Sequence, residues 1–143
     1  MKKVIVVESD PEQIRLYRQL FQKAAFDVEL ARTKEEMLEE LRQIRTGDSP
    51  KPDLVVMDFM LADGHGAEVL KAIKKSHFTR DIPVFALTNY QNHEFEAEAR
   101  RLRIAPDKYM IKAHHTPAEV LGEMERCLGQ RPPGPNRPRI RLS

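Results

Sequence analysis

Short apolar runs alternate along the chain with stretches in which apolar residues recur every three to four positions. Residues 4–7 and 54–57 are apolar without polar interruption, which is typical of parallel strands covered on both faces. The predicted strands are residues 4–7, 27–31, 53–58, 83–87 and 109–111. The predicted helices run from Asp10 to about Ala25, from Thr33, from the loop at Gly66, over residues 94–102, and from Thr116. This alternation predicts an α/β fold, a doubly wound five-stranded parallel sheet with helices on both faces.

Capping residues mark the starts of three of these helices. Asp10 is followed by Pro11 at the first helical position and by Gln13 at the third, an arrangement that favours a helix N-terminus. Two further starts have the spacing of a capping box, Thr33 with Glu36 and Thr116 with Glu119. Local side chains are therefore expected to satisfy the first backbone amides of these helices.

Length and charge divide the chain into a domain and a tail. Its 143 residues suggest one domain, on the usual size of about 100–200 residues, which we place at residues 1–129. The net charge of +2 hides an asymmetry, because residues 130–143 contain four arginines and no acid, whereas twenty basic and twenty-two acidic side chains precede them. The Pro/Arg-rich tail is predicted to be disordered. It could contact nucleic acid, acidic lipid or an acidic partner, although a solvated end is the simpler interpretation.

Cysteine usage and hydropathy indicate the compartment. The single cysteine, Cys127, excludes an internal disulfide and fits a reducing environment. No apolar run approaches the ~20 residues of a membrane span, and the N-terminal run is too short for a signal peptide. We therefore expect a cytoplasmic protein that does not use the membrane as a partner.

Polar side chains follow the ends of four predicted strands. They are Glu8, Ser9 and Asp10 after the first, Asp58 at the end of the third, Thr88 after the fourth and Lys112 after the fifth. In open α/β sheets, ligands bind outside the carboxyl ends of the strands. Carboxylates can hold Mg²⁺, and hydroxyl and ammonium groups can bind phosphoryl oxygens. The set predicts a phosphoryl site in which Asp58 is a candidate nucleophile that forms an acyl phosphate.

Each of these residues also has a structural interpretation. Asp10 is well explained as a helix cap, and Glu8 can be a solvated acid at a strand end. Thr88 or Lys112 alone would be unremarkable. Asp58 is the hardest to explain structurally, because a buried carboxylate without a partner is costly. The joint placement of these residues favours the functional interpretation.

Four stretches, VIVVESD, DLVVMDFMLADGHGAEVLKAIK, IPVFALTN and KYMIKA, resemble the receiver domain of two-component response regulators in order and spacing. The resemblance covers residues 1 to about 129 and implies a flavodoxin-like (CheY-like) sheet of strand order 2-1-3-4-5. It implies a signalling domain rather than an enzyme, one that accepts a phosphoryl group on an aspartate from a sensor histidine kinase or a phosphotransfer protein. Nothing after Leu128 is long enough for an output domain, so we expect a stand-alone regulator that acts through a partner.

The resemblance assigns a role to each matching position. Asp58 matches the phosphoacceptor, and Glu8 matches the first of two acids that bind Mg²⁺. Met60 matches the position that offers a backbone carbonyl to the metal. Thr88 and Lys112 match the residues that contact the phosphoryl oxygens.

The resemblance also implies a switch surface. Tyr109 matches an aromatic residue whose ring moves inward as the residue at the Thr88 position shifts. This movement would reshape the face made by the last two helices and the last strand. A downstream protein is the expected partner there, and a homodimer is an alternative.

Departures from the family pattern concentrate on the metal side. Ser9 stands where the family has its second metal-binding acid, so one negative charge is missing around Mg²⁺. Asp10 could compensate, but its capping role directs it towards the helix. Ala113 replaces a proline, and Asn89 is larger than the usual small residue. Phosphorylation is expected to survive but to need more Mg²⁺ or a better-docked donor.

Three rival functions stay open at this point. The first is a pseudo-receiver, an interaction module in which Asp58 is never phosphorylated because of Ser9. The second is an enzyme or a nucleotide-binding protein on the same flavodoxin-like sheet, which is weak because no Gly-rich phosphate loop follows the first strand. The third is nucleic-acid binding, for which the basic tail is the only basis.

Overall fold

A parallel sheet organises the molecule, for which the computed structural model describes residues 2–24, 26–88, 97, 100, 101, 103–112 and 115–129. The sheet contains β1 (Lys3–Val7), β2 (Asp27–Ala31), β3 (Leu54–Asp58), β6 (Val84–Thr88) and β7 (Lys108–Ile111). A small antiparallel hairpin contains β4 (Met60–Leu61) and β5 (Gly64–His65). The helices with described bounds are α1 (Pro11–Phe21), α2 (Lys34–Thr46), α3 (Gly66–Lys74) and α4 (Pro117–Leu128).

The strand order is β2-β1-β3-β6-β7, and every neighbouring pair is parallel. This is the order 2-1-3-4-5 when the five strands of the main sheet are counted along the chain, so the predicted fold is confirmed. The strand order reverses between β1 and β3: the chain continues from β1 to β2 at one edge of the sheet, and from β3 to β6 and β7 towards the other edge. Ligand sites in this type of sheet lie at that point, beyond the carboxyl ends of the strands.

Apolar residues cover both faces of the sheet. On one face, Ile5 and Val7 of β1 pack in a cluster with α2 and α3; on the other, Val4 and Val6 pack in a cluster with α1 and α4. All four of these valine and isoleucine side chains are fully buried. The uninterrupted apolar runs in the sequence therefore correspond to strands that bury successive side chains on opposite faces.

The helix starts agree with the predicted caps, with one difference in detail. The side chain of Asp10 accepts a hydrogen bond from the Glu12 amide, and Thr116 and Glu119 form a reciprocal capping box. Thr33 also caps its helix, but Glu36 does not complete the box. Its carboxylate accepts from the amide of Arg32 at 2.7 Å, because the chain between β2 and α2 presents that amide instead.

Two other local predictions were wrong. The first helix ends at Phe21 rather than near Ala25, because Lys23 and Ala24 donate to the carbonyls of Leu20 and Phe21, three residues back, as in a tightened last turn. The loop after Asp58 contains the β4–β5 hairpin, whose strands of two residues each are too short to show an alternating pattern.

Several predictions fall on parts of the chain that the structure does not describe. The helix over residues 94–102 lies largely outside the described residues, and the tail at 130–143, Asn89 and Ala113 lie wholly outside them. Among the helices of the described part, none is long and apolar enough to cross a membrane.

Candidate functional site

The carboxyl ends of the strands carry the polar residues that the sequence singled out. Glu8 directly follows β1, Asp58 ends β3, Thr88 ends β6 and Lys112 directly follows β7. Glu8, Asp58 and Thr88 are buried, with exposed fractions of 1%, 4% and 6%. Because the parallel strands end at one edge of the sheet, polar groups from distant parts of the sequence lie beside each other there.

Lys112 joins two of these buried acids. Its ammonium donates to Asp58 Oδ2 at 2.6 Å and to Glu8 Oε1 at 2.9 Å. The second oxygen of each carboxylate accepts from the backbone, Asp58 Oδ1 from the Met60 amide at 2.9 Å and Glu8 Oε2 from the Ser9 amide at 3.0 Å. Each acid therefore has a partner on both oxygens, which offsets the cost of burying it.

The charges of this triad are unbalanced. The pKa of Glu8 is raised to about 7, mainly by burial and in part by the neighbouring Asp58, while Lys112 opposes the shift. Burial alone would lower the pKa of Lys112, but its bonds to Asp58 and Glu8 outweigh burial and hold that pKa above its usual value. Tyr17 is buried beside the acids, and burial together with Glu8 and Asp58 raises its pKa. Two acids facing one base make this edge a place where a further cation would be favoured.

Ser9 and Asp10 direct their side chains to the backbone. The Ser9 hydroxyl donates to the Arg32 carbonyl at 2.6 Å and accepts from the Ala62 amide at 2.9 Å. Asp10 Oδ1 accepts from the Glu12 amide at 3.0 Å as the cap of α1. Ser9 thus ties the loop after β1 to the loop after β2 and to the β4–β5 hairpin, while Asp10 supports its own helix.

Asp63 supports the site from a distance, and no sequence pattern indicated this role. Its carboxylate, in the turn of the hairpin, accepts from the amides of Lys34 and Glu35 at 2.7 and 3.0 Å. The Lys34 ammonium in turn pairs with Glu68 at 2.9 Å. These contacts hold the hairpin, which follows Asp58, against the first turn of α2. Asp63 lies 29 positions from Lys34, so no local pattern could have indicated the contact.

Gly66 was predicted only as part of a loop, and the structure gives it a specific role. A β-carbon at Gly66 would lie 2.8 Å from a ring atom of Phe59 and 2.9 Å from the Asp58 carbonyl oxygen. The Gly66 amide also donates to the Phe59 carbonyl at 2.8 Å. Only glycine allows α3 to begin this close to the residue pair that carries the buried carboxylate.

Tyr109 and Met60 lie at the surface near this edge. Tyr109 is 40% exposed, and its ring packs edge-on against Phe59 with ring centroids 6.3 Å apart. Met60 is 45% exposed, and its amide holds Asp58. Phe59 therefore links the segment that follows Asp58 to the aromatic ring on β7.

The chemistry of the donor set is compatible with Mg²⁺. Glu8 and Asp58 supply two carboxylates, and the described residues contain no cluster of three or more potential His, Cys, Asp or Glu ligands. Mg²⁺ in proteins is commonly held by one or two carboxylates, with water and phosphate oxygens completing its shell. The Met60 backbone carbonyl is a further candidate donor, whereas Ser9 and Asp10 already serve backbone groups.

Comparisons with curated proteins and with a family profile identify relatives. Residues 4–118 match the profile of the response regulator receiver domain. The phosphate regulon transcriptional regulatory protein PhoB of Escherichia coli is 36% identical over 78 residues, which is 54% of this chain and 33% of PhoB. The polar-differentiation response regulator DivK of Brucella anthropi is 33% identical over 89 residues, which is 62% of this chain and 68% of DivK. The matched region thus spans about a third of PhoB and about two thirds of DivK.

Solved structures agree with this assignment. The phosphorylated cyanobacterial phytochrome response regulator RcpA has a TM-score of 0.72 and 25% identity, covering 87% of this chain and 91% of RcpA. The chemotaxis response regulator CheY4 of Vibrio cholerae has a TM-score of 0.69 at 20% identity, covering 89% and 98% of the two chains, and shows the shared fold. From the profile match over most of its length, the chain belongs to the response regulator receiver domain family.

Proposed function

We propose that Asp58 accepts a phosphoryl group from a histidine kinase or a phosphotransfer protein, with Mg²⁺, and that this switches a protein-interaction surface. Receiver domains are signalling domains rather than classical enzymes, and they interact with histidine kinases and downstream partners. The observation that carries the proposal is the Lys112 ammonium, which contacts both Asp58 and Glu8 at the carboxyl edge of the sheet. A cytoplasmic location accords with such a role.

The proposed transfer uses groups that are already oriented. A carboxylate oxygen of Asp58 attacks the phosphorus of a phosphohistidine, and an O–P bond forms as the N–P bond breaks, with its electron pair left on the imidazole nitrogen. The Lys112 ammonium, now bonded to Asp58, is placed to donate to a phosphoryl oxygen instead. The Thr88 hydroxyl is the proposed second contact. Mg²⁺, when bound, supplies positive charge beside the phosphoryl oxygens.

The switch is proposed to involve Tyr109. Its ring is exposed and rests against Phe59, which is directly attached to Asp58 in sequence. A shift of Thr88 towards the phosphoryl group would open room for the ring to move inward. The surface around Tyr109 and α4 would then differ between the two states, which is what a downstream partner or a second copy needs to distinguish them.

Ser9 makes the proposed Mg²⁺ affinity low. With a hydroxyl in place of an acid, the metal corner has one negative charge fewer, and that hydroxyl is committed to Arg32 and Ala62. Phosphorylation is then proposed to require a higher Mg²⁺ concentration or a donor that docks well.

Beryllium fluoride, a phosphoryl mimic, tests the proposal when titrated with Mg²⁺ while the amide NMR signals of Thr88 and Tyr109 are followed. The wild type should respond at millimolar Mg²⁺, and Asp58→Asn should not. Asp48→Asn makes the same change in an exposed loop and should behave as the wild type. Covalent labelling with a small phosphodonor, read by intact mass, should give one added phosphoryl group that is lost in Asp58→Asn.

A pseudo-receiver is the second candidate function. The two backbone contacts of the Ser9 hydroxyl favour it, because they give Ser9 a structural task in place of metal binding. In that case no concentration of Mg²⁺ would produce a response to beryllium fluoride in the wild type. Recovery of the response in Ser9→Asp would then show that the site lacks only its second acid.

A further inference from the structure

A basic groove lies between α2 and α3. Its volume is about 340 Å³, and its lining includes three exposed cationic side chains, Arg45, Lys71 and Lys75. Glu68 also lines the groove, but its carboxylate pairs with Lys34 at 2.9 Å. Among the residues that the structure describes, none of the three cations has an ion-pair partner. The groove therefore carries an excess of positive charge that the described part of the domain does not compensate.

Phe78 adjoins this groove and is exposed. Its exposed fraction is 62%, compared with 45% for Met60 and 40% for Tyr109, the other large apolar side chains at the described surface. The Phe78 amide donates to the Ser76 hydroxyl at 3.3 Å, and Ser76 lines the groove. An aromatic ring beside unpaired cations is the combination that protein interfaces favour.

The turn that carries Phe78 is held in place by its neighbours. The buried Thr79 hydroxyl donates to the Ile73 carbonyl at 2.7 Å, which ties the turn to the last part of α3. The Lys74 ammonium donates to the Ile82 carbonyl at 2.9 Å, on the far side of the turn. The backbone that presents the ring is therefore fixed before any partner binds, so covering the ring costs little ordering of the chain.

We propose that the α2–α3 surface, defined as the groove of Arg45, Lys71 and Lys75 together with Phe78, binds an acidic peptide segment of a partner protein. Carboxylates of the segment pair with the three cations, and an apolar side chain beside them covers the Phe78 ring. Exposed ion pairs contribute little individually, so the apolar contact is needed for a stable complex. The groove is concave, which suits the side chains of a single segment.

A protein segment fits this surface better than a nucleic acid or an anionic membrane. On its other side, next to β2, α2 contributes Glu35, Glu36, Glu39 and Glu40 to a second groove. An extended polyanion laid across α2 would face these carboxylates and be repelled, whereas a short segment within the α2–α3 groove would not. Phe78 also offers one ring for stacking, whereas single-stranded nucleic acids are bound by successive rings.

The α2–α3 surface lies at the end of the sheet opposite Asp58. Phe78 lies in the connection that precedes β6, and Arg45 lies in the last turn of α2, so both are near the amino ends of strands. Asp58 is at the carboxyl end of β3. A partner docked on this surface leaves Asp58 accessible, and the inference does not depend on the proposed phosphorylation.

NMR titration of the full chain tests the proposal, with a short synthetic peptide of alternating glutamate and leucine as the probe. The amide signals of Lys71, Lys75 and Phe78 should shift, and the affinity should fall as salt is raised. Lys71→Glu with Lys75→Glu should weaken binding about tenfold. Arg18→Glu with Lys23→Glu makes the same change of charge at exposed positions on the α1 side of the sheet and should bind as the wild type.

Substitutions of Phe78 separate the apolar contribution from the charges. Phe78→Ser should weaken binding about fivefold, and Phe78→Leu, which keeps an apolar side chain, should bind within about twofold of the wild type. An unchanged affinity in Phe78→Ser, or equal losses in the two double variants, would reduce the binding to attraction by net charge and overturn the proposal. Tighter binding of single-stranded DNA or of phosphatidylserine vesicles than of the peptide would overturn the proposed class of partner, and no shift at this surface would overturn the site itself.

Discussion

The positive charge of Lys112 offsets the repulsion between the two buried acids of the site, Glu8 and Asp58. Its ammonium lies 2.6 Å from Asp58 and 2.9 Å from Glu8, and its side chain is only 22% exposed. Without it, two carboxylates would share a buried edge with backbone amides as their only donors among the described contacts. The lysine that is proposed to contact the phosphoryl group therefore also stabilises the domain before phosphorylation.

Replacing Lys112 by methionine should lower the free energy of unfolding by about 3 kcal/mol in the absence of Mg²⁺, because it leaves buried charge uncompensated. Urea denaturation at pH 7.5 measures this. Lys108→Met is the matched control, since Lys108 pairs with Glu123 at a more exposed position and should cost no more than about 1 kcal/mol. Equal losses in the two variants would contradict the role given to Lys112.

Two substitutions of Ser9 distinguish its effect on metal binding from its role in holding the neighbouring loops together. Ser9→Asp should strengthen Mg²⁺ binding about tenfold by adding a third carboxylate, and calorimetric titration with Mg²⁺ measures the change. Ser9→Ala removes the hydrogen bonds to Arg32 and Ala62 without adding charge, so it should lower stability by about 1–2 kcal/mol and leave Mg²⁺ affinity unchanged. A gain of affinity in the alanine variant would contradict this division.

At the scale of elements, the segment from Asp58 to α3 is held from three sides. Gly66 lets α3 begin against Phe59, Ser9 holds Ala62, and Asp63 holds the first turn of α2. The hairpin itself is too short to be stable alone. Its position, and with it the surroundings of Asp58, depends on contacts with neighbouring elements.

Gly66→Ala should destabilise the domain by about 1–3 kcal/mol, because the new methyl group would meet the Asp58 carbonyl and Phe59 at under 3 Å. Gly122→Ala places the same methyl group within α4, where nothing lies within 4 Å, and should instead stabilise by about 0.5–1 kcal/mol. Thermal unfolding of both variants compares the two positions. A loss of stability in both would show that close approach is not what selects glycine at position 66.

Asp63→Ala should release the hairpin from α2. The amides of Lys34 and Glu35 would lose their acceptor, so their hydrogen exchange should become faster while amides in the middle of α2 keep their rates. Asp48→Ala, beyond the other end of α2, should leave Lys34 and Glu35 unaffected. Unchanged exchange in Asp63→Ala would mean that Thr33 alone supports this helix start.

At the scale of the whole molecule, the site is built from residues at the ends of several strands and not from one loop. Glu8, Asp58, Thr88 and Lys112 lie at or directly after the ends of four strands of one sheet, and Lys112 bonds to Glu8 across 104 positions of sequence. A ligand that bridges these residues joins elements from both halves of the chain. Binding at the site should therefore stabilise the entire fold rather than one segment.

Beryllium fluoride with Mg²⁺ should raise the free energy of unfolding of the whole domain. A hundredfold excess over the dissociation constant corresponds to about 2.7 kcal/mol if only the folded state binds. Denaturation curves with and without the mimic measure the gain, and Asp58→Asn should show none. A gain of equal size in Asp58→Asn would place the binding elsewhere.

Strands and caps were predictable because they depend on nearby residues. The apolar runs around Val6 and Val56 located two central strands, and Asp10 and Thr116 located helix starts. Predictions failed where the backbone of a connecting segment offered a hydrogen-bond partner or a short pairing that the side-chain pattern does not show. Glu36 was expected to serve Thr33 but binds the Arg32 amide, and the β4–β5 hairpin forms although its sequence has no alternating pattern.

The sequence by itself determined the order of strands and helices along the chain and the identity of the polar residues at the strand ends, because periodicity and capping act over a few residues. The resemblance to receiver domains supplied the expected strand order. Only the tertiary structure decided that Lys112 joins Glu8 to Asp58, that Ser9 serves Arg32 and Ala62, and that Asp63 caps a distant helix. Such contacts depend on how buried faces pack and on strand register, which bring together groups separated by 23 to 104 positions.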